Sequence, residues 1–319
     1  MNEFRKAITA VAEHAVALLE HGRTVFQVTG VDARDLLHRI STNDLMKGSV
    51  DRAITTVFCN EKGRVIEAVE VVSTGSDVTC PDLFMICSTA GSQTLLRWIE
   101  KFTITEEIQL NDVSDLFSMI CIIGPHAIQS MNGTDIKERN IWQGRFGTLP
   151  CTRILSTKET HAGIAGKLQE KGIPVIESGR IYEFLRVLHS VPLYGHEIVD
   201  SYNPYEAGLI EAVSFTKGCY IGQEVIARLD TYKKVQRQLR MLWSDTSDTP
   251  EVGTPVVVAG EQAGLVTSST SGLGRTISLA VLRKELLQPH EVFRINDFPY
   301  ILNDTFPLPY SLMFRQDAA

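Results

Sequence analysis

The stretch KGCYIGQE at 217–224 sets a lysine two positions ahead of a cysteine, with glycines at 218 and 222. Those glycines permit a tight turn, and the following IGQEVIARL has helical character. A thiol close to the positive end of a helix and beside an ammonium has its thiolate stabilised. Cys219 is therefore the candidate nucleophile and Lys217 its candidate activator. The competing reading is a small buried cysteine with a solvated lysine, and composition alone favours it. Cys59, Cys80, Cys87, Cys121 and Cys151 supply no C-x-x-C pair and no zinc-finger spacing. Cys59, Cys87 and Cys121 sit in apolar runs and read as core thiols.

Other candidates carry equally concrete structural readings. Glu206 lies in NPYEAGL. Asn203 suits an N-cap, Pro204 the first helical position, and Glu206 the third, which together make a capping box. A helix start is also where a pocket finds hydrogen-bonding groups, so ligand binding by Glu206 stays open. Arg228, Lys233, Lys234, Arg237 and Arg240 form a basic run that could meet phosphate, a polyglutamate tail or RNA; a solvated turn is at least as good a reading. Tyr232 adds one stacking surface, too little for nucleic acid. His196 in PLYGHE is the one histidine in a site-like context. SGLGRTI lacks the third glycine of a dinucleotide fingerprint, and GIAGKL lacks the full phosphate-loop pattern.

These residues need a scaffold. The chain has 319 residues, 44% hydrophobic and 22% charged, with a formal net charge of −7. That suits two or three globular units and excludes a whole-surface basic field. The N-terminus carries Glu3, Glu13 and Glu20 and has no uninterrupted apolar core, so neither a signal nor a transit peptide is expected. No run approaches a membrane span. The expectation is a cytoplasmic protein, and nothing in the sequence demands more than a monomer.

The patterning predicts one helix over 4–21 stopped by Gly22, then a strand in TVFQVTG and a helix in VDARDLLHRIST. AITTVFCNEKGRVIEAVEVV reads as a hairpin, DLFMICST and FSMICIIGP as buried strands, and SQTLLRWIEKF as an amphipathic helix. HAGIAGKLQEKG reads as a short loop and helix. Without a strict βαβ rhythm the class is α+β. After about 235 short strands alternate with Gly, Pro, Ser and Asp, which predicts a small β-barrel or sandwich. The boundary falls near 235–245, giving units 1–240 and 241–319.

The run KGCYIGQEVIAR resembles the signature of YgfZ-type folate-binding proteins, relatives of the glycine-cleavage T-protein (aminomethyltransferase). VTGVDARDLLHRISTNDL, CNEKGRVIEAVEVV, LRVLHSVPLYGHEI, NPYEAGL, GLVTSSTSGLGRTISLAVL and the closing LPY extend the likeness over most of the chain. The resemblance implies a T-protein-like three-domain ring around bound folate. Its parts are a discontinuous N-terminal domain, a ferredoxin-like domain and a C-terminal β-barrel. It implies tetrahydrofolate or another reduced folate as ligand. It further implies support for the assembly or repair of iron–sulfur enzymes, acting on tRNA modification only indirectly. The partners so implied are folate and iron–sulfur enzymes or assembly factors, with no direct nucleic acid and no membrane.

Residue by residue, Lys217, Cys219, Gly222, Gln223, Glu224 and Arg228 match the signature, while Tyr194 and Glu206 match positions near the folate pocket. Arg186 matches the arginine of an Arg-x-Glu element whose glutamate is Leu188 here. On this likeness Glu206 would take the pterin edge, Tyr194 would wall the ring, and Arg228 would meet the glutamyl tail. The T-protein's adjacent aspartates correspond to Glu67-Ala68, and the alternation around Glu67 leaves its facing open. That departure points away from aminomethyl transfer, which stands as the alternative function, and leaves turnover open.

Overall fold

The computed structural model describes residues 2–49, 51–73, 83–132, 136, 140–288 and 291–303. Cys80 and the closing LPY lie outside the described residues. In chain order the first elements are α1 (Asn2–Glu13), β1 (Val16–Glu20), β2 (Arg23–Thr29), α2 (Ala33–Ile40), β3 (Ile54–Cys59), β4 (Val65–Ser73) and β5 (Leu83–Ser88). There follow α3 (Thr89–Glu100), β6 (Gln109–Asp112), β7 (Phe117–Ile123), β8 (Ile141–Phe146), β9 (Leu149–Thr157), α4 (Lys158–Glu170), β10 (Val175–Ile176), α5 (Gly179–Leu188) and α6 (Gln223–Thr231). The last strands are β11 (Arg237–Ser244), β12 (Pro255–Val258), β13 (Glu261–Gly272), β14 (Arg275–Arg283), β15 (Val292–Ile295) and β16 (Phe298–Leu302).

One five-stranded sheet has the order β10-β1-β7-β9-β8 and a second the order β3-β4-β5-β2-β6. The second sheet is inserted in the chain between β1 and β7, so the first is assembled from discontinuous segments. Strands β11 to β16 close into a six-stranded barrel. The observed class is the α+β expected from the sequence, with a barrel rather than a sandwich at the end. The barrel's first strand begins at Arg237, so residue 240 falls inside β11.

The single helix expected over 4–21 is two elements. The helix stops at Glu13, and VALLE is β1, paired antiparallel with β7 and parallel with β10. Val16 and Leu18 enter a core with α1, α5 and the barrel residues Met241, Ile277 and Leu279. Ala17 enters a separate core with Ile164 and Leu168 of α4. A strand buried on both faces has no alternation, and a short apolar run also fits helical spacing. Only the neighbouring strands decide between the two.

On the second sheet, β4 separates two environments by strict alternation. Val69 and Val71 join a core with Leu36, Leu37, Leu95 and Ile99 of α2 and α3. Val72 points the other way and packs with Val25, Ile86, Met119, Trp142 and Leu155, which joins the two sheets. The period-2 facing of a strand thus assigns Ala68 and Glu70 to the space between the sheets.

Candidate functional site

The apolar cluster between the sheets does not fill the space. Beside it lies a cavity of about 900 Å³, bounded by β4, the β8–β9 pair, the segment after α5 and the 208–212 loop. Ligand pockets commonly measure about 300–1,000 Å³. Arg23, Lys47, Arg52, Arg145 and Arg153 reach its wall, against the carboxylates of Asp44, Glu70 and Glu211. The balance favours an anionic or polyanionic ligand.

Arg153 holds this wall together. It donates from Nε to Glu20 Oε2 at 3.1 Å and from Nη1 to Cys151 Sγ at 3.0 Å, and its Nη1 stands 2.9 Å from Glu70 Oε1. Glu20 also receives Arg23 at 3.2 Å and the Tyr182 hydroxyl at 3.2 Å. Burial alone would raise the Glu20 pKa, but Arg153 and Arg23 together outweigh it and bring it down to about 2. Trp142 Nε1 donates to Glu70 Oε2 at 3.3 Å. The network ties β1, β2, β4, β8, β9 and α5 into one charged unit.

Glu67 faces away from this cavity. Its Oε2 accepts from Ser88 Oγ at 2.7 Å and its Oε1 from the Ala68 N–H at 3.0 Å, at the start of α3. A Cβ on Gly91 would overlap Glu67 Oε2 and crowd the Tyr194 ring, so glycine is required there. Burial pushes the Glu67 pKa up to about 7, against the lowering effect of those two hydrogen bonds. A carboxyl with a raised folded-state pKa keeps its proton longer in the folded chain. Its contribution is present below the unfolded value near 4.5 and is lost as pH rises through 7. Glu67→Gln should flatten that slope, worth about 2–3 kcal/mol, in urea unfolding compared at pH 5 and pH 8. A variant whose stability falls with pH as steeply as the wild type would refute the assignment.

Lys217 and Cys219 part company in the structure. The Lys217 ammonium is buried and donates to the carbonyls of His38, Ser41 and Asn43, at and beyond the C-terminal end of α2. Burial pushes its pKa down to about 8. Cys219 is exposed and lies ahead of α6, whose N-cap is Gly222. Gly222 has φ +82°, and a Cβ there would meet Asn60 O at 2.6 Å. The signature is thus a strap, anchored by Lys217 on α2 and by Gly222 on the β3–β4 turn.

The remaining expected site residues are dispersed. The Glu206 carboxylate receives Arg237 Nε at 2.9 Å, Arg64 Nη1 at 3.1 Å and the Asn203 N–H at 3.2 Å. Asn203 Oδ1 returns the bond to the Glu206 N–H at 3.1 Å, completing the capping box, yet the segment makes turns and no helix. Gly208 follows with φ +73° and ends the turn. Tyr194 packs on Gly91, with its hydroxyl 3.4 Å from Thr94 Oγ1. Arg186 is buried and donates to Glu183 at 2.8 Å and to the Val191 carbonyl at 2.7 Å. His196 Nδ1 sits 2.7 Å from the Thr267 carbonyl of the barrel. Arg228 is exposed, 3.6 Å from Glu224. Among the described residues lining the 900 Å³ cavity, none of Cys219, Lys217, Glu206, Tyr194, Arg228 and Arg186 appears.

The residues that the structure does bring together, Glu70, Arg153, Glu20 and Trp142, belong to no motif that marks a site in the sequence. The available signal was a charge inside an apolar strand pattern: Glu70 in VIEAVEVV and Arg153 in CTRILST. Such charges are almost never buried unless paired.

The comparisons with known proteins agree with this architecture. Residues 4–152 match the GCVT N-terminal domain family. The chain is 25% identical to an aminomethyltransferase of Thermotoga maritima over 82% of its own length and 76% of the relative's. It is 26% identical to an aminomethyltransferase of Streptomyces avermitilis, covering 79% of this chain and 74% of that one. The crystal structure of glycine cleavage system aminomethyltransferase T from Bartonella henselae superposes with a TM-score of 0.75 at 15% identity, covering 95% of this chain and 89% of that one. Residues 4–152 are thus similar to a GCVT N-terminal domain, and the chain has an aminomethyltransferase-like fold, with the closed C-terminal barrel expected from the resemblance. Among the described residues no helix is long and apolar enough to cross a membrane.

Proposed function

We propose that the protein binds tetrahydrofolate or another reduced folate in the 900 Å³ cavity between its two sheets and serves one-carbon chemistry of the aminomethyltransferase kind. The cavity carries the reading: it is of ligand size, apolar on one side and ringed by cations. The relatives' names favour aminomethyl transfer and lend no support to the YgfZ-type accessory role. In this reading the pterin ring sits against the apolar cluster, and Arg52 and Arg145 at the rim meet the glutamyl carboxylates.

The accessory role in iron–sulfur enzyme assembly is the second reading, and one observation favours it. At the hairpin position where the T-protein has its paired aspartates, the cavity-facing residue is Ala68, and the carboxylate of Glu67 is directed to α3. The exposed Cys219 thiol would then be the group that reaches a client protein, with Lys217 shaping the strap that carries it.

Titration with tetrahydrofolate, followed by Trp142 emission and by calorimetry, tests the shared claim. Saturable one-to-one binding is expected, and its absence would remove both readings. An assay with a loaded lipoyl carrier then separates them. Methylene-tetrahydrofolate formation supports the transferase. Binding without turnover, with turnover appearing in Ala68→Asp, supports the accessory protein.

A further inference from the structure

We propose that Glu70 is the ligand-recognition carboxylate of the cavity and takes the donor edge of the pterin, its 2-amino group and N3–H. The proposal rests on the folate reading above and adds the residue that orients the ring.

The cavity face of β4 offers position 68 and position 70. The Ala68 methyl can accept nothing, so the face's hydrogen-bonding capacity rests on Glu70, one strand repeat (about 6.8 Å) further along. The other wall carboxylates are differently placed. Asp44 accepts from the Met46 N–H at 3.2 Å and is paired with Lys47 at 3.0 Å. Glu211 lies at the rim, 80% exposed, with Arg145 3.6 Å away. Glu70 is 17% exposed and sits deep in the wall.

Among the described residues its two oxygens are each engaged once, Oε1 by Arg153 at 2.9 Å and Oε2 by Trp142 at 3.3 Å. A carboxylate accepts about four hydrogen bonds. Acceptor capacity therefore remains on both oxygens of the one carboxylate. Two adjacent parallel N–H donors are the complement of that arrangement. Arg153 is itself held by Glu20 and Cys151, so the carboxylate is set before ligand arrives. Arg153 is a positioning residue in this scheme, and Glu70 the contact.

The test compares tetrahydrofolate with its 2-desamino-2-methyl analogue on the wild type and on Glu70→Gln. The substitution keeps shape but turns one acceptor into a donor facing donors. Tetrahydrofolate affinity should fall at least tenfold, while the analogue binds both proteins within threefold. Equal tetrahydrofolate affinity in the two proteins would overturn the proposal. So would equal weakening of both ligands, which assigns Glu70 to holding Arg153 alone. If Glu70→Gln does not fold, the wild type decides: the analogue must bind at least tenfold more weakly, and equal binding overturns the proposal. A wild type that binds no tetrahydrofolate fails the folate reading itself, a result distinct from any of these.

Discussion

Arg153→Met should destabilise the protein by about 3–5 kcal/mol at pH 7. The guanidinium is 3% exposed and bridges Glu20, whose side chain is fully buried, to Glu70. Removing it leaves a buried carboxylate with Arg23 as its one remaining cation among the described residues and opens space against Cys151. Breaking one side of a buried pair costs far more than the pair contributes relative to an apolar replacement, because the orphaned charge stays buried. The pH dependence fixes the cause. Glu20 titrates near 2 in the folded chain against about 4.5 unfolded, so its contribution is full above 4.5 and fades as pH falls towards 2. In the variant, burial dominates and Glu20 holds its proton at higher pH. The gap between wild type and variant should therefore narrow on acidification. Urea unfolding at pH 7 and pH 4 reads both quantities. A loss below about 1 kcal/mol at pH 7, or a gap that widens in acid, would refute the network as described.

Lys217→Met should cost about 2–3 kcal/mol, while Cys219→Ala stays within about 0.5 kcal/mol of the wild type. The Lys217 ammonium satisfies carbonyls at the end of α2 that have no helical partner. A cation there also meets the negative end of the helix dipole. Methionine fills the space but offers the orphaned carbonyls no donor. Cys219 is exposed and supports no core. The pair of variants thus separates the two halves of the signature, measured by thermal and urea unfolding. Equal stability of Lys217→Met and wild type would return the lysine to the role of thiol activator. A destabilised Cys219→Ala would place the thiol in the strap.

The position of a carboxylate on β4 matters more to function than its presence. Glu67 and Glu70 lie on one strand, three residues apart, and alternation sends them to opposite faces. Glu67 serves the start of α3 and titrates near 7, while Glu70 meets the cavity. The spacing in VIEAVEVV predicts that they diverge. It does not say which face is which, because valines occupy the Glu67 face and the opposite face ends in Val72, equally buried. Only the other sheet, packed across Val72 through Trp142, makes one of them a cavity wall.

The sequence by itself determined the α+β class, the β3–β4 hairpin, the helices α2, α3 and α6, the buried cysteines at 59, 87 and 121, and a short-stranded C-terminal unit, barrel or sandwich. These follow from local pattern: period-2 and period-3.6 spacing, turn glycines and runs too apolar to be exposed. It also contained the Asn203–Glu206 capping box, although the helix expected behind it does not form and the segment makes turns. Tertiary structure alone decided that VALLE is a strand, because two strands and two cores claim it from both sides. It alone brought Arg153, Glu20 and Glu70 together across residues separated by as many as 133 positions. And it alone divided KGCYIGQE into a buried anchoring lysine and an exposed thiol. Those outcomes depend on what lies opposite each side chain in space, and the chain's local pattern carries no record of that.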